Sequence, residues 1–596
     1  MIKVSDFIAH FLATQHEIAK TIFLVSGGGN MHLIDSIGKE KRLTYVCNHH
    51  EQACAMAAEG YARVSNKIGV AVVTTGPGGT NAITGVLGAW TDSIPMLIIS
   101  GQVKFMTTIA SQPELQLRQL GDQEINIVDI VKPITKFAEM VTDKNNIKYH
   151  LQKAIHLAKT GRPGPVWLDI PLDIQGALID KTELISFIPQ SVPQYDNKIA
   201  QVIAALKNAQ RPVIIAGNGI TLSDANSDFL DLVEKLAIPV IATFARCDIL
   251  KEDNPYYFGR YGTIGQRAAN FIVQNSDLIL SIGARLNIRA ISYNWEYFAR
   301  AAKIISVDID DNELNKHTLN IAIKIQADAK AFIQALSNTP LSTHYPDWLI
   351  QCHRYKKRYP NLINSRKEVT DYVDSYCFFD TLSQLTSAEM IYILGNGTAC
   401  VSAYQCLKVY GKQRMLMNSG TASMGYDLPA AIGACFANNK KDVICVTGDG
   451  SLQMNLQELQ TIIHYQLPIK LFVLNNDGYI SIRNTQTAIF AGHLVGADKT
   501  SGVSCPDTLK IAQAYGFTTF KIESQVNLTK DLQTILNHQG SLVCEIMLNS
   551  AEKMEPKLSS ELKADGTMVS KPLEDMFPFL PREEFFSQMI IEPINE

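Results

Sequence analysis

The apolar run DVICVT ends in Gly448-Asp449-Gly450-Ser451, and 27 positions beyond Asp449 a second apolar run, IKLFVLN, leads into Asn476-Asp477-Gly478. One carboxylate oxygen, one amide oxygen and a backbone carbonyl from the second turn make a hard oxygen set. That set is incomplete for octahedral Mg²⁺ and leaves about half the coordination sphere to water and phosphate oxygens. The glycines allow close backbone approach, and the helix after Ser451 offers free N–H groups to the same phosphates. Either motif alone is a common turn; their register argues for more. Leu452, Leu456, Leu459, Ile462 and Ile463 follow helical spacing, so roughly 15 residues at 1.5 Å carry the chain back about 22 Å. The strand IKLFVLN advances about 23 Å the other way. Asp449 and Asn476 are therefore expected side by side at the C-terminal edge of neighbouring parallel strands, where open α/β sheets bind ligands.

This pairing of G-D-G with N-N resembles the signature of thiamine-diphosphate enzymes. The resemblance implies that Asp449, Asn476 and the carbonyl of Gly478 hold Mg²⁺, with Gly448, Gly450 and Ser451 at the diphosphate. Such a cofactor requires a carboxyl group against its aminopyrimidine ring, to drive the proton shift that activates the thiazolium carbon. Glu51, in TYVCNHHEQACAMAAEGYAR, follows a strand and opens a helix. By itself such a glutamate reads as a solvated acid stabilised by the helix dipole. The segment H-E-Q-A-x-x-M-A-A-E-G-Y-A-R, however, closely resembles the glutamate helix of the acetolactate synthase (acetohydroxyacid synthase) branch. So do TTGPGGTNAITGV, TDSIPMLIISGQV, GRPGPVWLDIP, SMGYDLPAAIGA and GDGSLQMNLQELQT, in the same order from about residue 3 to about 548.

Position by position, the resemblance makes Glu51 the activating acid and places Thr75, Gly76, Pro77 and Asn81 around the pyrimidine. Met424 becomes the wedge that bends the cofactor; read by itself it is a flexible core side chain. Gly397 and Thr398 stand where the family's diphosphate-holding G-Q-H-Q loop lies, although this chain has Gly397-Thr398-Ala399-Cys400. Gly28 and Gln123 fall where the family contacts substrate. Gly217, Gly219, Arg285, Arg289, Asp308 and Asp328 match the region that holds a non-redox FAD, and an arginine pair suits a pyrophosphate. Glycine turns and arginines also occur in related domains without flavin.

The elements that must position these residues are short apolar runs alternating with amphipathic stretches, the pattern of parallel sheets covered by helices. Three doubly wound α/β domains are expected: a pyrimidine-binding (glutamate) domain over 1–182, a central Rossmann-like domain over 194–335 and a diphosphate domain over 370–550. SLQMNLQELQTIIHYQ reads as the clearest helix. ISFIPQSVPQYDNK reads as a linker, the polar-aromatic stretch from about Ser342 to Tyr376 as a wrap between domains, and 555–596 as a surface tail.

Composition agrees. The 596 residues are too many for one core, and 46% apolar with 19% charged residues argues against global disorder. With 54 basic and 58 acidic residues and a net charge of −4, nothing draws the chain to nucleic acid or anionic membrane. Eleven cysteines without a C-x-x-C pair suit reduced core residues. MIKVSDFIAHFLATQHEIAK carries neither a signal-peptide core nor a membrane span. A cytoplasmic protein is expected.

The function implied is a thiamine-diphosphate and Mg²⁺ dependent carboligase that decarboxylates pyruvate or a similar 2-oxoacid and adds the hydroxyethyl carbanion to an acceptor carbonyl. Acetyl transfer to a carbonyl such as a keto-sugar nucleotide is the alternative, followed by simple decarboxylation; a catalytically silent member of the fold is the non-enzymatic one. The resemblance also implies a homodimer or homotetramer, the glutamate domain of one subunit facing the diphosphate domain of another. The acceptor site departs from the family. Thr485 stands where the synthases carry tryptophan, in Ile480-Ser481-Ile482-Arg483-Asn484-Thr485, and Asn30 and His32 replace apolar residues. A wider, more polar acceptor pocket is expected around Ile482, Thr485, Asn30 and His32.

Overall fold

The computed structural model describes residues 1–189, 198–341, 343–562 and 567–594. Three six-stranded sheets form, each wholly parallel. Their strands are apolar without alternation: all six residues of Ile68–Val73 are buried, as a sheet covered on both faces requires. Counting strands from the start of each sheet, the first (Ile18–Leu24 to Pro165–Pro171) and third (Ile391–Leu394 to Leu542–Met547) share the order 2-1-3-4-6-5, and the middle one (Pro212–Ala216 to Ile323–Gln326) has 3-2-1-4-5-6.

Strand order explains where the expected site residues fall. A crevice opens where the order reverses, between the first and third strands of the outer sheets and the first and fourth of the middle one. Residues 25–30 and 74–77 follow the two switch strands of the first sheet, 395–398 and 448–451 those of the third, and 217–219 and 283–285 those of the middle sheet.

The first and third domains pack helix to helix. Glu51–Ser65 lies on Asp427–Ala437 so closely that a Cβ on Gly433 would stand 1.8 Å from the Ala57 carbonyl oxygen. One apolar core runs through both domains, joining Phe23, Met56 and Val86 to Tyr426, Ile432 and Leu471. Inside it Arg63 bonds Glu59 at 2.5 Å and Asp92 at 2.6 Å, and Asp92 accepts the Ser419 N–H at 3.0 Å. Burial is acceptable because the charges are paired.

The middle domain is tied to the third by Arg260. Its buried guanidinium donates to the carbonyls of Cys247, Ala403, Tyr404 and Leu407 at 2.9–3.2 Å and so closes the C-terminal end of helix Thr398–Cys406. The wrap holds the helix Pro346–Arg358, with Trp348, Cys352 and Tyr355 buried against the middle domain. The tail contributes Leu573 and Phe585 to the same core. Most of the expected linker, and the expected boundary at 194, lie outside the described residues.

One expectation is corrected. SLQMNLQELQTIIHYQ is not continuous helix: Asp449–Leu452 and Glu458–His464 are separate, with a turn between them. There Asn455 donates to the Gly425 carbonyl at 2.7 Å and to Gln52 at 2.9 Å. Contacts to two other segments override the helical spacing. Asp449 nonetheless meets the turn after strand Ile469–Asn475.

Candidate cofactor and active site

Asp449 and Asn476 meet as their spacing required. Strands Val443–Gly448 and Ile469–Asn475 pair in parallel with Gly448 opposite Leu474, and the Gly478 N–H donates to Asp449 Oδ2 at 2.9 Å. Asn476 Nδ2 donates to Thr398 Oγ1 at 3.2 Å, whereas its buried Oδ1 has no hydrogen-bond partner among the described residues. A buried carbonyl oxygen without a donor is costly in water-free surroundings and satisfied by a cation. Burial pushes the Asp449 carboxyl up to about 6, a penalty that a nearby cation would offset. The oxygen set therefore fits Mg²⁺. Arg483 steadies the turn from below, donating to the carbonyls of Asn476 at 3.3 Å and Asp477 at 2.5 Å and pairing with Asp498 at 3.3 Å.

Beneath this turn lies a support not anticipated from the sequence. Buried Asp427 accepts the Thr447 and Ser451 hydroxyls, both at 2.9 Å, and the Leu428 N–H at 2.8 Å. Ser451 Oγ in turn accepts the Gly425 N–H at 2.9 Å, beside half-buried Met424. Gly397 and Gly448 face open space, where a Cβ would meet nothing within 4 Å. With Gly450 and Ser451 opening the helix beside them, they leave room for a phosphate-bearing group at the switch point.

At the edge of the first sheet, Glu51 opens helix Glu51–Ser65, is 8% exposed and accepts the Asn81 amide at 3.0 Å through Oε2. Thr75 Oγ1 donates to the Gly101 carbonyl at 3.1 Å, and Pro77 starts helix Pro77–Asp92. Gly76 has φ +61°, and a Cβ there would lie 2.1 Å from the Gln123 carbonyl oxygen, so only glycine fits. The carboxylate thus stands against the segment 75–81, where a Cβ on Gly78 would lie 3.6 Å from its Oε1.

Within one chain the two halves are braced together. Asn48 and the His49 N–H both donate to Glu458, at 2.8 and 2.9 Å. Among the described residues no hydrogen bond joins Glu51 to Asp449, Asn476 or Met424.

The acceptor-side residues separate. Gly28 is open. Asn30 is buried, and its amide closes the local turn, accepting from Gly27 N–H at 2.9 Å and donating to the Val25 carbonyl at 3.0 Å. His32 packs beside Gly176. Gln123 is exposed with φ +61°. Ile482 and Thr485 lie on the open side of helix Ile480–Ile489, Ile482 being 46% exposed.

The middle sheet's switch point opens into a cavity of about 330 Å³ lined by Gly219, Arg285, Arg289, Asp308 and Asp328. Gly217 packs on Gly283 and Ala284 at its base. Arg285 pairs with Glu313 at 3.0 Å, and Asp328 caps helix Ala329–Ser337. Arg289 lies over the Phe244 ring at 4.1 Å and has no carboxylate partner among the described residues. Burial raises Asp308 to about 6. An unpaired arginine in a cavity of ligand size fits an anionic nucleotide such as FAD.

All eleven cysteines are free thiols, all but Cys47 and Cys505 buried, and no helix among the described residues is long and apolar enough to cross a membrane.

Comparison with known proteins agrees with this geometry. Residues 2–124 match the thiamine pyrophosphate enzyme N-terminal TPP binding domain, 199–336 the central domain and 395–546 the C-terminal TPP binding domain. The chain is 31% identical over 580 residues to the acetolactate synthase large subunit of Cyanidium caldarium, covering 94% of this chain and 95% of that protein. Identity to the acetolactate synthase isozyme 2 large subunit of Escherichia coli K12 is 30% over 580 residues, 96% of this chain and 99% of that one. For the large subunit of Porphyra purpurea it is 32% over 572 residues, 92% and 93%. With its three domains matched in order and its relatives aligned nearly end to end, the chain belongs to the thiamine pyrophosphate enzyme family, in its acetolactate synthase large-subunit-like branch.

Proposed function

We propose that this protein is a thiamine-diphosphate and Mg²⁺ dependent carboligase that decarboxylates pyruvate or a similar 2-oxoacid and transfers the two-carbon unit to an acceptor carbonyl. The observation that carries this reading is the buried Asn476 oxygen, without a hydrogen-bond partner among the described residues, in the turn that bonds Asp449 at a sheet edge, with Glu51 at the corresponding edge of a sheet of the same strand order.

When bound, thiamine diphosphate supplies the carbon nucleophile and the electron sink that decarboxylation needs. Asp449, Asn476 and the Gly478 carbonyl would hold Mg²⁺, Thr398 orienting Asn476 and Arg483 the turn. Glu51 holds a proton at the pyrimidine ring nitrogen, its carboxylate oriented by Asn81. Thr75, Gly76 and Pro77 wall the ring, and Met424 stands above the Ser451 turn. The active assembly is a homodimer or homotetramer in which Glu51 of one copy serves the metal half of the next, as the family resemblance implies. The middle cavity takes FAD in a structural role, through Arg289 and Arg285. The free, mostly buried thiols accord with a cytoplasmic enzyme.

The open surface at Thr485 and Ile482 favours a second reading, acetyl transfer to a larger carbonyl such as a keto-sugar nucleotide. Incubation with pyruvate, thiamine diphosphate, Mg²⁺ and a panel of carbonyl acceptors, with products identified by mass, tests both. Cofactor-dependent CO₂ release is expected, and its absence for every 2-oxoacid donor rejects the carboligase.

A further inference from the structure

The chain between strand Met96–Gln102 and helix Ile127–Val131 forms a loop on the same sheet edge as Glu51, Thr75 and Gly28. Its tip is exposed: Leu115 is 51%, Leu117 38% and Leu120 46% accessible, and Arg118 between them has no ion pair among the described residues. One side chain closes the loop. Glu124, 3% exposed, accepts the Ile109 N–H at 2.8 Å through Oε1 and the Leu120 N–H at 3.0 Å through Oε2. Its own carbonyl accepts the Gln119 amide at 3.1 Å. A carboxylate bonded to two backbone N–H groups is strongly held, and these two lie eleven residues apart. The adjacent residue is Gln123, in a left-handed conformation with its carbonyl packed over Gly76. Behind it Gln102 donates both to the Ile125 carbonyl at 3.0 Å and to buried Asp169 at 3.1 Å, anchoring the C-terminal end of the loop to the sheet. Non-glycine residues held at positive φ persist only where their surroundings over-determine them. Here Glu124 and Gln102 do so from either side.

We propose that Glu124 is a positioning residue for substrate: by tying Ile109 to Leu120 it fixes the loop that stands against Gly76 and presents Gln123 to the substrate site proposed beside Glu51. It touches neither cofactor nor reacting atoms. The assignment rests on the carboligase reading and specifies what holds the substrate wall in place. Glu124→Gln keeps the shape but loses one acceptor oxygen, and Glu124→Ala loses both. Gln119→Ala, on the exposed side of the same clamp, tests the assignment if both Glu124 variants fail to fold.

Three measurements on the full chain separate the roles: trypsin cleavage after Arg118, KM against kcat for the 2-oxoacid, and thiamine diphosphate affinity with Mg²⁺ from tryptophan fluorescence. For Glu124→Gln, cleavage and KM are each expected to rise about tenfold, with kcat and cofactor affinity within about twofold of wild type. Glu124→Ala should exceed Glu124→Gln, and Gln119→Ala should move in the same direction. Unchanged KM despite faster cleavage overturns the substrate role, unchanged cleavage overturns the clamp, and a parallel loss of cofactor affinity makes Glu124 a residue of the fold. If wild-type protein turns over no 2-oxoacid, the carboligase reading and the substrate role fall together; the cleavage rates still decide the clamp.

Discussion

Asn476 donates its amide nitrogen to the Thr398 hydroxyl, which fixes the amide and leaves its buried carbonyl oxygen without a hydrogen-bond partner among the described residues. A rotamer that a neighbour holds in advance is how metal ligands are usually pre-set. Asn476→Ala should weaken Mg²⁺-supported thiamine diphosphate binding by about 100-fold, and Thr398→Val by about 10-fold. Cofactor titration at several Mg²⁺ concentrations checks both. Equal affinity in Asn476→Ala and wild type would remove Asn476 from the metal set.

Glu51→Gln preserves size and the contact with Asn81 but cannot hold a transferable proton. Turnover should fall by about 10²–10⁴-fold with cofactor affinity little changed. Steady-state kinetics beside a binding titration separates the two effects, and retained turnover would falsify the role given to Glu51.

Thr485→Trp should restrict the exposed acceptor side to small 2-oxoacids. Product ratios from pyruvate in competition with a bulkier carbonyl provide the measurement. A ratio that does not move would place Thr485 away from the acceptor.

Asp169 is fully buried, and loss of hydration pushes its carboxyl up to about 7 despite bonds from Ser100 and Gln102; the nearby Glu124 charge pushes the same way. The folded protein keeps a proton that the unfolded chain releases near pH 4. Stability should therefore decline as pH rises from about 4 through about 7. Asp169→Asn, which carries no charge at any pH, should flatten that decline. Melting temperatures of both proteins at pH 5.5 and 8 decide, and identical slopes would rule out Asp169 as the source.

The crossing of helices Glu51–Ser65 and Asp427–Ala437 leaves no room for a side chain at Gly433. Gly433→Ala should cost about 1–3 kcal/mol, because its new methyl meets backbone and not a movable side chain. Denaturant unfolding reads the loss directly. An unchanged midpoint would mean that the two helices can separate without penalty.

The interior strands were legible because a parallel strand buried on both faces has a continuous apolar run. Four strands of the six-stranded sheets lack such a run: Phe137–Met140, Tyr257–Arg260, Ile323–Gln326 and Thr518–Ile522. Each lies at the edge of its sheet. With one neighbour and, in three of the four, partial exposure, such strands are short and chemically mixed; Tyr257–Arg260 is buried but interrupted by a glycine and an arginine. The meeting of Asp449 with the turn after Ile469–Asn475 was legible because both sit on one strand-helix-strand unit. Asp427 lies within SMGYDLPAAIGA, where no local pattern marks it as a support, and Glu458 bonds Asn48 across 410 residues. No local pattern records a partner that distant. The helical period predicted through Asn455 failed for the same reason.

Arg260 belongs to the domain farthest from the proposed chemistry, yet its guanidinium terminates the helix that Gly397 and Thr398 begin. A chain shortened by removal of its central third would lose the stopper of that helix and, at the opposite end, the footing of the diphosphate cradle. The middle domain is thus a structural member of the half that holds Gly397 and Thr398, and the domains should melt in one cooperative step.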